Sequence, residues 1–389
     1  MLAQAFARLG HEVIVVVDRS DALHRPEHYQ GSIPPGIKII EHKHANSSKV
    51  ILDFVLPWRA RSTLPKECHY ADFYITTGFW GVIAAQTKSP YFVLLTGSDL
   101  EYGAEPKKIF INYLNNTQGW KGIRLLKALV ASIAGFNQRQ SIKKAIGFNY
   151  FPKGIIKKGD ELLKRIGYAT EQRFSFMVTD TSKREYVAPK NNSELVVLLA
   201  ARQTWINSNQ AVQSLLDNKG TDIFLRGIAH FIDHHPDRKI SIILVEKGEN
   251  TNESKALIKE LNIGDCIVWK QQMSQKVLFS LYAEVDVVAD HFSPSSVVGM
   301  AGLDALAMGK PLLAHSRSDI FEPLIGEKSP ICHAENPQQV SDWLLKLTDF
   351  NVRNVISVQS RAYVEKYFST DSAATQILNR YGKLGSSNA

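Results

Sequence analysis

The sequence has little cysteine and no long uncharged apolar run. Its three cysteines, Cys68, Cys266 and Cys332, are widely spaced and form no CxxC pair, which argues against a disulfide framework and a cysteine-based zinc site. No stretch of 18 or more uncharged apolar residues occurs, so no membrane-spanning helix is expected. The N-terminus also lacks the basic, apolar and small-residue sections of a signal peptide. These absences predict a cytoplasmic protein with reduced thiols and no metal site.

What is present is typical of a globular protein of more than one domain. The 389 residues exceed the size of an ordinary single core, and a composition of 44% hydrophobic and 22% charged residues excludes a disordered chain.

Positive charge is concentrated in residues 101–170, which hold thirteen Lys and Arg against four Asp and Glu. An anionic phosphate, an anionic membrane or nucleic acid could be the partner, and solvated helix faces are the plain alternative. Nucleic acid is disfavoured because no binding motif lies near these charges.

Apolar strands alternate with helical patterns along the whole chain. Val13–Val17 is an unbroken apolar run, as in a strand of a parallel sheet with both faces covered. Further strands are predicted at Ala71–Thr77, Tyr91–Leu95, Ala145–Phe151 and Phe174–Val178, and then at Leu195–Ala200, Ile240–Val245, Cys266–Trp269, Asp286–Ala289 and Leu312–Ala314. The alternation predicts an α/β fold with two doubly wound, Rossmann-like domains that face a cleft. We place the first domain at residues 1–180, a polar linker at 181–193, the second domain at 194–366, and a returning C-terminal helix at 367–389.

Candidate phosphate-binding residues cluster in the second domain. Arg202 follows a predicted strand, and Lys219 precedes the start of a predicted helix. A guanidinium, an ammonium and a helix N-terminus all favour an anion. Gly220 and Gly248 would let a ligand approach the backbone closely. Each feature alone is weak, because an arginine after a strand is more often a surface residue.

The most informative segment is Asp290–Ala314, DHFSPSSVVGMAGLDALAMGKPLLA, in which a Ser- and Gly-rich loop enters a small-residue helix that ends at Gly-Lys-Pro. It resembles the donor-site motif of the group-1 (family four) retaining glycosyltransferases, which have the GT-B fold. That motif has a Glu, seven residues, a second Glu and then Gly-Lys-Pro. Asp304 stands at the second Glu and Ser296 at the first. In the first domain, Leu95–Leu100 resembles the His-Gly-Ser-Asp loop of this family.

The resemblance implies roles for specific residues. Asp304 would hold the ribose hydroxyls, and Arg202 and Lys219 would hold the diphosphate. The sugar pocket and its backbone would be bordered by Ser295, Val298, Gly299 and Gly248. Thr96, Asp99 and Ser296 would occupy the catalytic positions, with Gly97 and Ser98 on the acceptor side. The implied donor is a nucleoside-diphosphate sugar, with no cofactor and no metal.

Three departures from the family pattern bear on function. Ser296 replaces a carboxylate, Thr96 replaces a histidine, and the first strand of the family with its glycine-rich loop has no counterpart ahead of Leu2. We therefore expect the first sheet to lack a strand beside Val13–Val17. A non-catalytic protein that binds sugar nucleotides or a partner is the main alternative to an enzyme. An epimerase of the same fold lacks a matching motif.

The resemblance also implies a class of acceptor, and residues 120–134 indicate where in the cell the protein would act. A retaining transfer to a glycan or lipid-linked acceptor, in the synthesis of cell-surface polysaccharide or glycoconjugate, is the expected activity. Residues 120–134 place Lys121, Arg124 and Lys127 among apolar residues, which is typical of a helix lying on an anionic membrane. The alternative is a helix whose apolar face packs on the sheet.

Overall fold

The structure, a computed structural model, describes residues 1–18, 35–42, 54–60, 64–199, 201–206, 218–293 and 297–387. The chain divides into two compact units. The first comprises Met1–Phe176 together with Ala373–Ala389, and the second comprises Met177–Ser372. Within the described residues, no helix is both long and apolar enough to cross a bilayer.

The first unit alternates strands and helices. In chain order its elements are α1 Leu2–Arg8, β1 Val13–Asp18, β2 Ile37–His42, α2 Pro57–Ala60, β3 Tyr74–Thr77, α3 Trp80–Ala84, β4 Tyr91–Leu94, α4 Ser98–Glu101, α5 Pro106–Asn116, α6 Lys121–Lys144, β5 Gly147–Asn149, α7 Lys157–Ile166 and β6 Arg173–Phe174.

Its strands form two parallel sheets. Strands β3, β4, β5 and β6 pair in that order, with Tyr74 opposite Tyr91 and Phe92 opposite Gly147. Both faces of this sheet are covered, so Phe92, Val93 and Phe148 are buried. Among the described strands, β1 pairs with β2 alone, with Val13 opposite Ile37. The absence of a strand beside β1 stays a prediction.

The second unit repeats the alternation more regularly. Its elements are β7 Glu194–Leu199, α8 Thr221–His234, β8 Lys239–Glu246, α9 Thr251–Glu260, β9 Ile267–Gln271, α10 Gln275–Glu284, β10 Val287–Ala289, α11 Met300–Ala307, β11 Leu312–Ala314, α12 Ser318–Ile325, β12 Cys332–His333, α13 Pro337–Leu347 and α14 Phe350–Tyr367, and α15 Thr370–Ser387 begins here.

Six parallel strands form the sheet of the second unit, in the order β12, β11, β10, β7, β8, β9. The apolar side chains of β7 and β8 pack against helices α8 and α13, and the core includes Val197, Leu244, Phe224 and Leu344. Continuous apolar runs are required in such strands because helices cover both sheet faces. Because the strands and the helices that cover them are apolar where they meet, the polar side chains that could bind a ligand lie in the loops.

Two segments near the unit boundary bear on the predicted linker and C-terminal helix. Residues 181–193, predicted as a linker, fall inside the second unit, whose boundary is at Met177. They begin with a 3-10 turn at Thr181–Lys183. From Ala373 onward, α15 belongs to the first unit. There Arg380 Nε donates to the carbonyl of Ile146 at 2.9 Å.

Candidate functional site

The strand order of the second unit defines where a ligand is expected. The chain runs from β7 outward through β8 and β9, and then returns to build β10, β11 and β12 on the other side of β7. The order therefore reverses between β7 and β10, which are hydrogen-bonded neighbours. In open parallel sheets, ligands bind outside the carboxyl ends of the strands at such a switch point. The loops that follow β7 and β10 are thus the candidate site.

Backbone hydrogen bonds connect the loops at this edge of the sheet. The Gln203 N–H donates to the carbonyl of Lys247 at 2.7 Å, which joins the loops after β7 and β8. The Lys219 N–H donates to Thr204 O at 2.7 Å, and the Phe292 N–H donates to Lys219 O at 2.8 Å. The segments after β7, before α8 and after β10 therefore form one connected rim, named here the donor rim: residues 201–204, 218–220 and 290–293.

Glycine is required where the rim segments touch. Gly220 has a φ of +65°, and a Cβ on it would lie 2.5 Å from the backbone N of Ser293. Gly248 has a φ of +124°, and its Cβ would lie 2.5 Å from the carbonyl oxygen of Gln203. L-residues rarely adopt this backbone region. Gly248 was predicted to let a ligand approach the backbone, but the backbone of Gln203 fills the space beside it.

The two predicted phosphate-binding cations belong to this rim. Thr204 bridges them, since its N–H donates to Arg202 O at 2.9 Å and its own carbonyl accepts from Lys219 N–H. Arg202 is exposed, whereas Lys219 is largely buried. The fold thus connects the backbones of two cationic residues that are separated by sixteen residues in the sequence.

An Asp-His pair, which sequence analysis missed, joins the end of β10 to the residues directly before α11. Asp290 is buried, and its Oδ2 accepts from the Gly299 N–H at 2.8 Å. His291 Nε2 lies 3.3 Å from Asp290 Oδ1, and Nδ1 lies 2.7 Å from the carbonyl of Val297. The available signal was an Asp-His pair directly after a buried strand. The amide of Gly299, predicted to edge the sugar pocket, is therefore already bonded within the loop.

Asp304, predicted to hold the ribose, has other partners. Its side chain is buried, and Oδ1 accepts from Thr179 Oγ1 at 2.5 Å and from Arg184 Nε at 2.9 Å. The guanidinium of Arg184 lies 3.8 Å from the centroid of the Phe279 ring. The position that resembles the ribose-binding Glu is therefore occupied by a buried ion pair, because an aspartate on this helix meets the 179–184 segment.

Of the three remaining site predictions in the second unit, Ser295 in the sugar pocket and Ser296 at a catalytic position lie outside the described residues. The third, Val298, is buried and lines a small apolar cavity with Leu303 and Leu306. Its side chain thus contributes to the core of the second unit.

The Thr96–Asp99 loop of the first unit lies at the carboxyl end of β4. Thr96 and Ser98 are exposed, and Gly97 has a φ of +106°. Asp99 is buried, and its oxygens accept from the Thr96 N–H at 2.8 Å and from the Gly78 N–H at 3.3 Å. Burial raises the pKa of this carboxyl, against the lowering effect of these hydrogen bonds. Asp99, predicted as catalytic, is thus arranged as a residue that positions the loop.

No family model matches the chain. It is 25% identical over 168 residues to a D-inositol 3-phosphate glycosyltransferase of Corynebacterium aurimucosum, across 42% of this chain and 40% of that protein. The chain thus spans about two fifths of the length of this curated relative.

Solved structures show the fold. The chain is similar to a glycosyltransferase from Rickettsia africae, with a TM-score of 0.59 and 14% identity over 98% of this chain and 92% of that one. It is also similar to HepE from Anabaena in complex with UDP and glucose, with a TM-score of 0.52 and 13% identity over 89% and 86% of the two chains. The α/β architecture with parallel sheets is that of the GT-B glycosyltransferases, as predicted.

Proposed function

We propose that this chain is a glycosyltransferase that takes its sugar from a nucleoside-diphosphate donor. The observation that carries the proposal is the donor rim: the backbones of Arg202 and Lys219 are joined through Thr204 at the switch point of a doubly wound sheet. The partial likeness to a D-inositol 3-phosphate glycosyltransferase and the structural likeness to HepE, which was determined with UDP and glucose, support it. We retain the assignment of Arg202 and Lys219 to the diphosphate.

The proposed chemistry is electrostatic. As the bond between the sugar and the diphosphate breaks, negative charge grows on the leaving phosphate, and Arg202 and Lys219 would stabilise it. Preorganised charge of this kind usually supplies the largest single part of catalysis. Retention of configuration and transfer to a glycan or lipid-linked acceptor remain proposals that rest on the family resemblance. The exposed Thr96 and Ser98 are the proposed acceptor-side groups.

A non-catalytic sugar-nucleotide-binding protein is the second candidate. A specific observation favours it: the carboxylates of Asp99 and Asp304 are both held by internal donors. Neither is arranged as a nucleophile or a general base. The two candidates differ in turnover, because both bind the donor and only the enzyme releases nucleoside diphosphate in the presence of an acceptor.

Calorimetry with UDP-, GDP- and ADP-sugars tests donor binding. We expect one of these to bind the wild type, and Arg202→Ala to lose about 1.5–3 kcal/mol of binding, or about 10- to 150-fold, because one charged partner of the diphosphate disappears. Arg238→Ala is the matched control, since this exposed arginine pairs only with its neighbour Asp237 among the ion pairs described. Equal affinities of wild type and Arg202→Ala, or no binding of any nucleotide sugar, would contradict the proposal.

We propose that the protein acts at the cytoplasmic face of an anionic membrane. Helix α6 buries small residues, including Ala128, Ala131 and Gly135, and exposes large ones. The exposed apolar side chains are Ile123, Leu125, Leu126, Leu129, Ile133 and Phe136, from 38% to 62% exposed. The exposure of these six side chains supports the membrane hypothesis over the alternative of an apolar face packed on the sheet. With Lys121 and Lys127 exposed beside them, an anionic lipid surface is the fitting partner.

A further inference from the structure

The carboxyl ends of β11 and β12 bring two histidines and a glutamate together. These strands are parallel neighbours, with Ala314 opposite His333. His315 directly follows β11, His333 ends β12, and Glu335 follows two residues later. One ligand atom from each of the three side chains lies within 4.8 Å of the others. Parallel pairing explains the convergence, because residues eighteen to twenty apart in sequence share the same edge of the sheet.

The spacing of one ligand pair matches that of a tetrahedral metal site. Zinc binds imidazole nitrogen and carboxylate oxygen at about 2.0–2.2 Å, which places neighbouring ligand atoms about 3.4 Å apart. His315 Nε2 lies 3.4 Å from Glu335 Oε2, so this pair already has that spacing. The third ligand atom lies within 4.8 Å of the other two, so it would have to approach by at most about 1.4 Å to reach this spacing.

The three side chains of the cluster differ in their exposure to solvent. His315 is buried, His333 is half-buried, and 47% of the Glu335 side chain is exposed. An ion can therefore enter from the Glu335 side, and a fourth position remains for water. Two imidazoles and one carboxylate favour a borderline transition metal such as Zn²⁺ over Mg²⁺ or Ca²⁺, which prefer oxygen ligands.

Neighbouring groups hold the imidazole of His333 in place. Ser316 Oγ lies 3.2 Å from His333 Nδ1, and with the proton on Nδ1 it accepts a hydrogen bond and leaves Nε2 for an ion. The Ser316 N–H points to the same nitrogen, also at 3.2 Å, and favours the other tautomer when no ion is bound. The end of β12 is fixed by Trp343 Nε1, which donates to His333 O at 2.8 Å.

We propose that His315, His333 and Glu335 bind one divalent transition-metal ion, with Zn²⁺ as the best fit. The ion would join the ends of β11 and β12, where the strands have only three and two residues. The site uses none of the residues assigned to the diphosphate, and it therefore stands independently of the proposed function. The sequence analysis predicted no metal site and did not single out these three residues, because they do not form a local motif.

Metal titration of the full-length, chelator-treated protein tests the site. We expect one equivalent of Zn²⁺ to bind at pH 7.5 and to raise the thermal midpoint, and Co²⁺ to give the visible absorption of a four-coordinate ion. His333→Asn and Glu335→Gln should each weaken binding at least tenfold. Both replace partly or well exposed side chains, so folding should survive even if a variant of the buried His315 does not fold.

The control addresses a second histidine pair that could bind the same ion. His230 and His234 stack on α8 with ring centroids 4.0 Å apart. His234→Ala should leave the zinc affinity unchanged. The proposal is wrong if the wild type binds no Zn²⁺ at tens of micromolar, if His333→Asn and Glu335→Gln bind as the wild type does, or if His234→Ala abolishes binding.

Discussion

At the scale of single residues, Asp304 illustrates how a motif position can acquire a structural partner. Its salt bridge with Arg184 is buried on both sides, with 8% and 6% of the two side chains exposed. Aspartate is one methylene shorter than the glutamate of the family pattern, and both Thr179 and Arg184 donate to it. Sequence could identify the position, but it could not show which groups the carboxylate would meet.

Removal of this carboxylate should be strongly destabilising. Asp304→Ala is expected to lower the free energy of unfolding by about 3–5 kcal/mol, because the Arg184 guanidinium is left buried without its counter-ion. The matched control is Asp319→Ala, which breaks an ion pair between Arg317 and an aspartate that is 64% exposed. That control should cost no more than about 1 kcal/mol. Urea denaturation measures both, and losses of similar size would show that the buried pair has no special role.

Lys310 of the Gly-Lys-Pro segment should make stability depend on pH. Its ammonium is buried, and Nζ donates to Val285 O at 3.0 Å. Desolvation lowers the pKa of Lys310 to about 8, although the charge of Asp286 acts in the opposite direction. The unfolded chain therefore binds more protons than the folded chain between about pH 8 and the ordinary lysine pKa of about 10.4, so this residue makes stability rise with pH across that window.

The Lys310→Met variant should lack this contribution. The difference in unfolding free energy between wild type and variant should shift by on the order of 2–3 kcal/mol in favour of the wild type from pH 8 to pH 10. Unfolding in urea at the two pH values gives this difference directly and cancels the titration of other groups. A difference that stays constant across the window would mean that the lysine titrates normally.

At the scale of elements, helix α6 differs from an ordinary core helix. A core helix buries its large apolar side chains, whereas α6 buries small residues and exposes large apolar ones. Its buried face is made small by Ala128, Ala131 and Ala134, and a Cβ on Gly135 would come within 2.8 Å of Ile109 Cδ1. Close approach of α5 therefore uses the small face. Periodicity in the sequence predicted a helix here, but it could not tell which of the two apolar stripes would be covered.

Exposed leucines of α6 should carry vesicle binding. Cosedimentation with anionic vesicles should fall sharply in the Leu126→Glu, Leu129→Glu double variant, because each apolar side chain contributes about 1.5–3 kcal/mol when buried and each new charge repels the lipid. Wild-type binding should also weaken with salt. The control is Val355→Glu, Val358→Glu on α14, where two valines are 55% and 56% exposed. Equal loss in both double variants, or binding that is indifferent to lipid charge, would exclude this surface.

At the scale of the whole molecule, most of the second unit could be predicted from sequence. Apolar runs at 195–200, 240–245 and 286–289 became β7, β8 and β10 with shifts of one or two residues, because both faces of a parallel strand must be apolar. Short strands were less accurate: the strand predicted at Phe174–Val178 is Arg173–Phe174 in the structure. Local periodicity carries little information over two or three residues.

The candidate site was predictable only in part, for a related reason. Arg202 and Lys219 were predicted because each lies beside a strand end or a helix start, and the structure joins their backbones through Thr204, while their role at the diphosphate stays a prediction. The roles of Asp290, His291 and the buried Arg184 depend on contacts between distant segments, which no local pattern encodes. The partners of a polar side chain at a sheet edge therefore depend more on the order of the strands than on the local sequence motif.

Hydrogen–deuterium exchange, with and without the tightest-binding nucleotide sugar, tests the central claim most directly. Saturating ligand should slow amide exchange in the segments after β7, at the start of α8 and after β10, where the donor rim lies, and leave exchange in α6 and α14 unchanged. Slowed exchange confined to the first unit, or no change at saturation, would contradict the placement of the donor at this switch point.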